Sequence, residues 1–260
     1  MISGTDMKSR MFLFFFLFFL CSCTRLFVND PANDANWVLR TRDHFLIYAR
    51  PDSFAARNMD SIVSVLETDF DRIETSLNVD FTRQISIFLY SSREDAGWKD
   101  YTSCAFAFEE SAAGIYSPDL RSLGIPNNFR TIVHVMAFGT IGVPRLDFLS
   151  DGLGIAMDRF YFDSENAAIS NLYDWTAYYC RQGKLYPLKT AMTSSGLNPA
   201  IGYVMKGSFV EFLLEKYGNS LFKRFYREAN LVNSESKISE IYGKTLTDLE
   251  ADWITFCTNR

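Results

Sequence analysis

The sequence has 260 residues, with 31 Asp and Glu against 26 Lys and Arg and a net charge of −5, which disfavours nucleic acid as a partner because a phosphate backbone needs a clustered positive surface. The length suits one large domain or two small ones with a substantial core, and the composition excludes full disorder and a disulfide-stapled miniprotein. Six of the 24 Phe residues fall in Met11 to Leu20, ten apolar residues in a row behind Lys8 and Arg10. That is the pattern of a targeting signal, so its Phe content says nothing about a core. It is too short for a transmembrane helix, which needs roughly 20 residues.

The run ends in Leu20-Cys21-Ser22-Cys23, which resembles the lipobox of bacterial lipoproteins: Leu at the third position before the cut, a small residue just before it, then the acylated Cys. The resemblance implies a signal peptide over residues 1–22, a fatty acyl anchor such as palmitate on Cys23, and a location on a bacterial envelope membrane, facing the periplasm or the surface. Losing Lys8, Arg10 and Asp6 with the signal leaves the remainder one unit more negative. Residues 24–36 are polar, with Pro31 and several Asn and Asp, and should tether the domain, so that residues 23–36 reach at most about 45 Å when extended. Cys104, Cys180 and Cys257 match no zinc spacing and are read as buried apolar residues in preference to a disulfide.

Residues 37–257 read as one domain. His44 to Tyr48 is β-rich and is followed by a Pro51-Asp52-Ser53 turn, which predicts a strand. Ile62, Leu66, Phe70, Ile73 and Leu77 recur at helical spacing and predict a long amphipathic helix over 58–77. Ile85, Ile87 and Leu89 alternate within 84–90 and predict a second strand. A third is expected over Ala113 to Tyr116, turning at Ser117-Pro118-Asp119 into Ser122 to Ile125. From residue 128 onward the chain reads as helical, so the order of strand, helix, strands and then helices predicts an α+β fold, with an α/β part over 37–127 and a helical part over 128–257. Gly218 and Gly243 are expected to end helices over 208–217 and 238–242. Thr247 and Glu250 form a candidate capping box for a last helix that buries Leu249, Trp253 and Cys257.

Residues 129–141 predict a helix apolar nearly all round, and such helices are buried. Gly142 and Pro144 should end it, and a second helix should begin with Ser150 as N-cap and Asp151 in its first turn. The phrases HFLIYA, ISIFLYSSRED, AAGIYSPDLRSLGIP, VHVMAF, FLSDGLGIAMD, YVMKGSFVEFLLEKYG and SEIYGKTLTDLEADW, in this order and spacing, resemble the peptidase MA-like group of gluzincin metallopeptidases over nearly all of 37–257.

In that family the buried helix carries H-E-x-x-H, two His on one helical face binding zinc while the Glu activates water, and a Glu of the next helix is the third ligand. Mapped residue by residue, the resemblance places His134 at the first His, Val135 at the general base, Phe138 at the second His and Asp151 at the third ligand. Val and Phe can neither take a proton nor hold zinc. The resemblance therefore implies a catalytically degenerate site with no catalytic residue and no metal, and a binding or accessory role in the envelope towards a peptide, protein or glycan. The alternative is a metal-dependent hydrolase whose site is rebuilt from His134, Asp151 and a further ligand, with zinc as cofactor. A third reading is a structural lipoprotein with a closed cleft.

The same residues also have plain structural readings. His134 fits a core histidine bonded to a neighbour, Asp151 a helix N-terminal charge, and His44 a surface or pairing residue. Asp147 and Asp158 are conceivable replacement carboxylates, although Asp158 lies about 10 Å beyond Asp151 along a helix. Residues 113–125, with Ile115 and Tyr116, match the family's strand beside the active-site helix, where an extended peptide can pair without being cut. Tyr203 is a candidate polar group of the cleft. Tyr173, Trp175, Tyr178, Tyr179 and Tyr186 suit either a ligand platform or, preferably, core packing.

Overall fold

The computed structural model describes residues 36–97, 105–108, 111–115, 129–158, 171–194 and 196–260. The apolar run, Cys23, Cys104, Tyr116 and the expected turn and strand over 117–125 lie outside the described residues. Strands β1 (Val38–Thr41) and β2 (Phe45–Ala49) pair antiparallel, with Leu39 opposite Tyr48. The single strand expected here is thus a hairpin, closed where Arg42 N donates to Phe45 O at 2.9 Å. All four β1 residues are exposed, so no alternation of apolar residues marked it in the sequence.

Ser53 Oγ accepts from Ala56 N and caps the short helix α1 (Phe54–Arg57). Helix α2 (Met59–Leu77) follows, with Ile62, Leu66, Phe70, Ile73 and Leu77 buried as their spacing predicts. It ends at Asn78, whose φ of 50° is a left-handed conformation that Asn tolerates. Strand β3 (Ile85–Tyr90) then runs parallel to β2, with Phe45 opposite Ile85, so α2 is the crossover of a β-α-β unit.

Strands β4 (Ala105–Phe108) and β5 (Ser111–Ile115) complete a five-stranded sheet in the order β1-β2-β3-β5-β4. β5 is parallel to β3, with Ile115 opposite Tyr90, and antiparallel to β4. This corrects the expectation of a free edge at residues 113–115: β5 is interior, because β4, whose AFAF carries no clear period, occupies the edge beside it.

The helical half comprises α3 (Phe129–Thr140), α4 (Asp147–Asp158), α5 (Leu172–Arg181), α6 (Leu188–Thr193), α7 (Pro199–Glu228), α8 (Ser234–Tyr242) and α9 (Leu246–Thr258). Together with the sheet it makes the fold α+β. α3 buries Ile132, Val133, Val135, Met136 and Ala137, packs on β4 and β5, and ends before Gly142, whose φ of 115° suits glycine alone.

α4 starts earlier than expected, with Asp147 in its first turn and Ser150 and Asp151 inside the helix. Ser150 is therefore not the N-cap. Burial of Leu146, Phe148 and Leu149 draws this turn into the helix.

α4 packs along α7, and two glycines allow a close approach. A Cβ at Gly152 would lie 2.5 Å from Lys206 O, and one at Gly207 would lie 2.4 Å from Ile155 Cγ2. Gly218 (φ 80°, ψ 166°) breaks α7 where a helix end was expected, and Gly243 (φ 66°) caps α8. The last helix is capped by Thr245, whose Oγ1 accepts from Asp248 N at 3.1 Å, and not by Thr247 and Glu250. Glu250 instead accepts from Leu188 N at 2.9 Å and ties α9 to α6. Tyr173, Trp175 and Tyr179 are buried, and Tyr178 and Tyr186 pack against the core. Cys180 and Cys257 are free thiols, and among the described residues no helix is long and apolar enough to cross a membrane.

Candidate functional site

A cleft of about 380 Å³ opens where α3, α4 and the first turns of α7 meet, lined by Arg130, His134, Asp151, Tyr203 and Lys206 among others. Arg130 and His134 lie four residues apart on α3 and so share one helical face. On α7 the three-residue step from Tyr203 to Lys206 does the same. His134 and Asp151, which the resemblance pairs, do border one cleft from adjacent helices, and so does Tyr203.

His134 is half-buried and clamped against α4. Its Nδ1 lies 3.3 Å from Ser150 Oγ, and its Nε2 lies 3.1 Å from the place a Cβ on Gly154 would take. Ser150 and Gly154 are one helical turn apart, so the imidazole edge rests along a single face of α4. Burial depresses the His134 pKa below its ordinary value; the Asp151 charge works against this and the Arg130 charge with it. The ring is thereby held neutral, with Ser150 as its hydrogen-bond partner.

Asp151 is 51% exposed, and its Oδ2 lies 2.6 Å from Lys206 Nζ. On the other side of the cleft, the Arg130 guanidinium donates to Asp158 Oδ2 at 2.8 Å and to the Tyr203 hydroxyl, and its Cζ stands 4.7 Å from the Tyr203 ring centre. Asp158, 7% exposed, has its pKa raised because burial outweighs the opposing Arg130 charge. Burial likewise pushes the Tyr203 hydroxyl up to about 12. The cleft therefore presents two internally matched ion pairs, an aromatic face and a neutral imidazole.

Val135 is fully buried among core side chains. Phe138 is half-buried, its ring 5.9 Å from that of His134 and tilted. Ile115 stands at the end of β5, and nothing described brings it to the cleft. His44 is elsewhere: its Nδ1 lies 2.5 Å from Glu67 Oε2 and its ring stacks on Phe70 at 3.9 Å, a pairing role.

Zinc takes three or four N, S or O donors, and the described residues offer few here: His134, with Nδ1 on Ser150 and Nε2 packed beside Gly154, and Asp151, paired with an ammonium group. Among the described residues no three His, Cys, Asp or Glu side chains converge on one point. Sequence reasoning missed Arg130, Lys206 and the true role of Ser150. A signal existed for two of them, since Arg130 is placed at i−4 to His134 and Lys206 is the only charge in YVMKGSFV.

No protein-family model matches the sequence, and no curated protein matches it.

Proposed function

We propose that this chain is a lipid-anchored protein of a bacterial envelope, with a peptidase MA-like, gluzincin-like fold, whose cleft binds a peptide, protein segment or glycan without cleaving it. One observation carries the reading: His134 and Asp151 border a single cleft from consecutive helices, yet Val135 at the position of the base is inside the core and Lys206 already neutralises Asp151. A hydrolytic water would need an acceptor at the cleft poised to take its proton. Asp151 is committed to Lys206 and Asp158 to Arg130, and the neutral imidazole of His134 has Nδ1 on Ser150 and Nε2 packed beside Gly154. The open volume, the Tyr203 face and the polar rim suit recognition of an extended ligand by hydrogen bonds.

Cys23 would hold the domain to the membrane through the tether. The supporting sequence is Leu20-Cys21-Ser22-Cys23, and loss of palmitate labelling in Cys23→Ser tests it directly.

For the cleft, the test is metal content, peptide hydrolysis and binding to peptide and glycan arrays, measured on the full chain in detergent. The expected result is no stoichiometric zinc, no hydrolysis, and binding that Tyr203→Ala weakens. One equivalent of zinc that disappears in His134→Ala would overturn the proposal and favour a hydrolase with a rebuilt site.

A further inference from the structure

The loop between α3 and α4 runs beside the end of α7. Arg145 forms a parallel β-bridge with Asn230, and Gly142 approaches the Arg227 side chain at 3.6 Å from its own Cβ position. The turn after α7 is braced by two asparagines. Asn230 Oδ1 accepts from Val232 N at 2.8 Å and from Asn233 N at 3.0 Å, while Asn233 Oδ1 accepts from Asn230 N at 2.7 Å. This fixed turn holds Leu231 and Val232 in solvent, 58% and 97% exposed, with Val143 of the adjoining loop at 71%. Single exposed apolar residues are ordinary. Here, however, the three most exposed large apolar side chains of the described residues sit on two loops joined by one bridge.

The surroundings are cationic although the chain is acidic overall. Arg145 and Arg227 are exposed, and neither makes an ion pair among the described residues. Lys223, one turn before Arg227, donates to Asn78 O and feels the Arg227 charge. The acid next to Arg227 in the chain, Glu228, is already taken by Arg224 and Lys237.

We infer that the Leu231–Val232 turn, together with Val143 and the guanidinium groups of Arg145 and Arg227, docks on an anionic lipid surface. Three aliphatic side chains fall far short of the roughly 800 Å² per partner that a stable protein interface buries, and no aromatic anchor stands among them. A bilayer needs no matching pocket: aliphatic tips enter the acyl boundary while arginines remain at the phosphates. The inference rests on this turn and not on Cys23, which would only raise the local concentration of membrane.

The test uses the full chain and offers it both kinds of vesicle under the same conditions, so that a difference between vesicles reports on the turn. In Val232→Trp, the fluorescence in excess of the unmodified protein should shift to the blue and be quenched by brominated acyl chains in phosphatidylcholine vesicles containing phosphatidylglycerol. Pure phosphatidylcholine vesicles should give little of either. Adding Arg145→Gln and Arg227→Gln, or raising the salt, should abolish the quenching in anionic vesicles. Circular dichroism checks that each variant is folded, as expected for exposed positions. Absence of quenching, equal quenching in both kinds of vesicle, or a blue shift that appears without lipid and grows with protein concentration would each overturn the inference, the last in favour of a second copy covering the turn.

Discussion

Ser150 Oγ lies 3.3 Å from His134 Nδ1, across the interface of two helices, and gives a half-buried imidazole its hydrogen-bond partner. Because burial lowers the His134 pKa, the unfolded chain binds a proton there that the folded chain refuses. The sign follows from linkage: stability is intact above the unfolded value of 6.5 and falls as the pH drops from there towards the folded value. Urea titrations between about pH 5 and pH 8 should show this acid-side loss, and His134→Gln should flatten it. An unchanged slope would place the titration elsewhere.

Arg130 is the partner of a nearly buried carboxylate. Arg130→Met should cost about 2 kcal/mol at neutral pH, below the figure for a wholly buried pair because the guanidinium is partly in water. Adding Asp158→Asn should recover much of it, since the stranded charge is then gone. The penalty of Arg130→Met should also shrink at acid pH, as Asp158, its pKa already raised by burial, takes up a proton. Equal penalties at both pH values would argue against the pair.

Gly152 and Gly207 set the spacing of α4 and α7. A methyl group at Gly152 would meet the Lys206 carbonyl, which is backbone and cannot step aside. Gly152→Ala should therefore cost about 2 kcal/mol or more, lower the melting temperature, and loosen the Lys206–Asp151 pair. Gly183→Ala, with open space around its Cβ but a φ of 62°, offers a control in which only backbone strain acts.

Val135→Glu places a carboxylate in the core and should destabilise the fold by about 3 kcal/mol, or prevent folding. Phe138→His combined with Lys206→Met is the gentler route, since Phe138 is half-buried and Asp151 would lose its ammonium partner. Calorimetry should then detect zinc binding, with none expected in the unmodified protein. Failure to gain any affinity in the folded double variant would show that the helices do not hold the metal-binding geometry that the resemblance implies.

Burial raises the Cys257 thiol to about 12, so alkylation near pH 8 should leave it untouched in the native state. Cys180, partly exposed, should react first. Peptide mapping after brief iodoacetamide treatment separates the two.

The parts of the fold legible in the sequence are those whose period repeats. The five apolar residues of α2 and the alternation in β3 needed nothing beyond local spacing. β1 and β4 were not legible because one is solvated on all four residues and the other is too short to show a period. The starts of α4 and α9 were misplaced for a common reason: Ser150 and Thr247 are good capping residues, but burial of Leu149 in the first case and the Thr245–Asp248 bond in the second decided the boundary. At the cleft, His134 and Asp151, paired by the resemblance, and Tyr203, a candidate from the sequence, all stand in the lining. Their partners were not legible, because the pairing of Lys206 with Asp151, 55 residues apart, is fixed only when α7 docks on α4.

The break at Gly218 carries a consequence for the order of folding. Lys206 and Tyr226 both reach the Ser150–Asp151 turn, the first through its ion pair and the second by bringing its buried hydroxyl beside Ser150 without a hydrogen bond. Along a straight helix twenty residues would separate them by about 30 Å, so the chain must bend at Gly218. The two arms of α7 are joined through one residue and are local structure, whereas β2 and β3 must pair across the whole of α2, and loop closure makes distant pairings slower. Pulse-labelled hydrogen exchange during refolding should protect the amides of α7 before those of β3, and replacing Gly218 by Val should erase that lead.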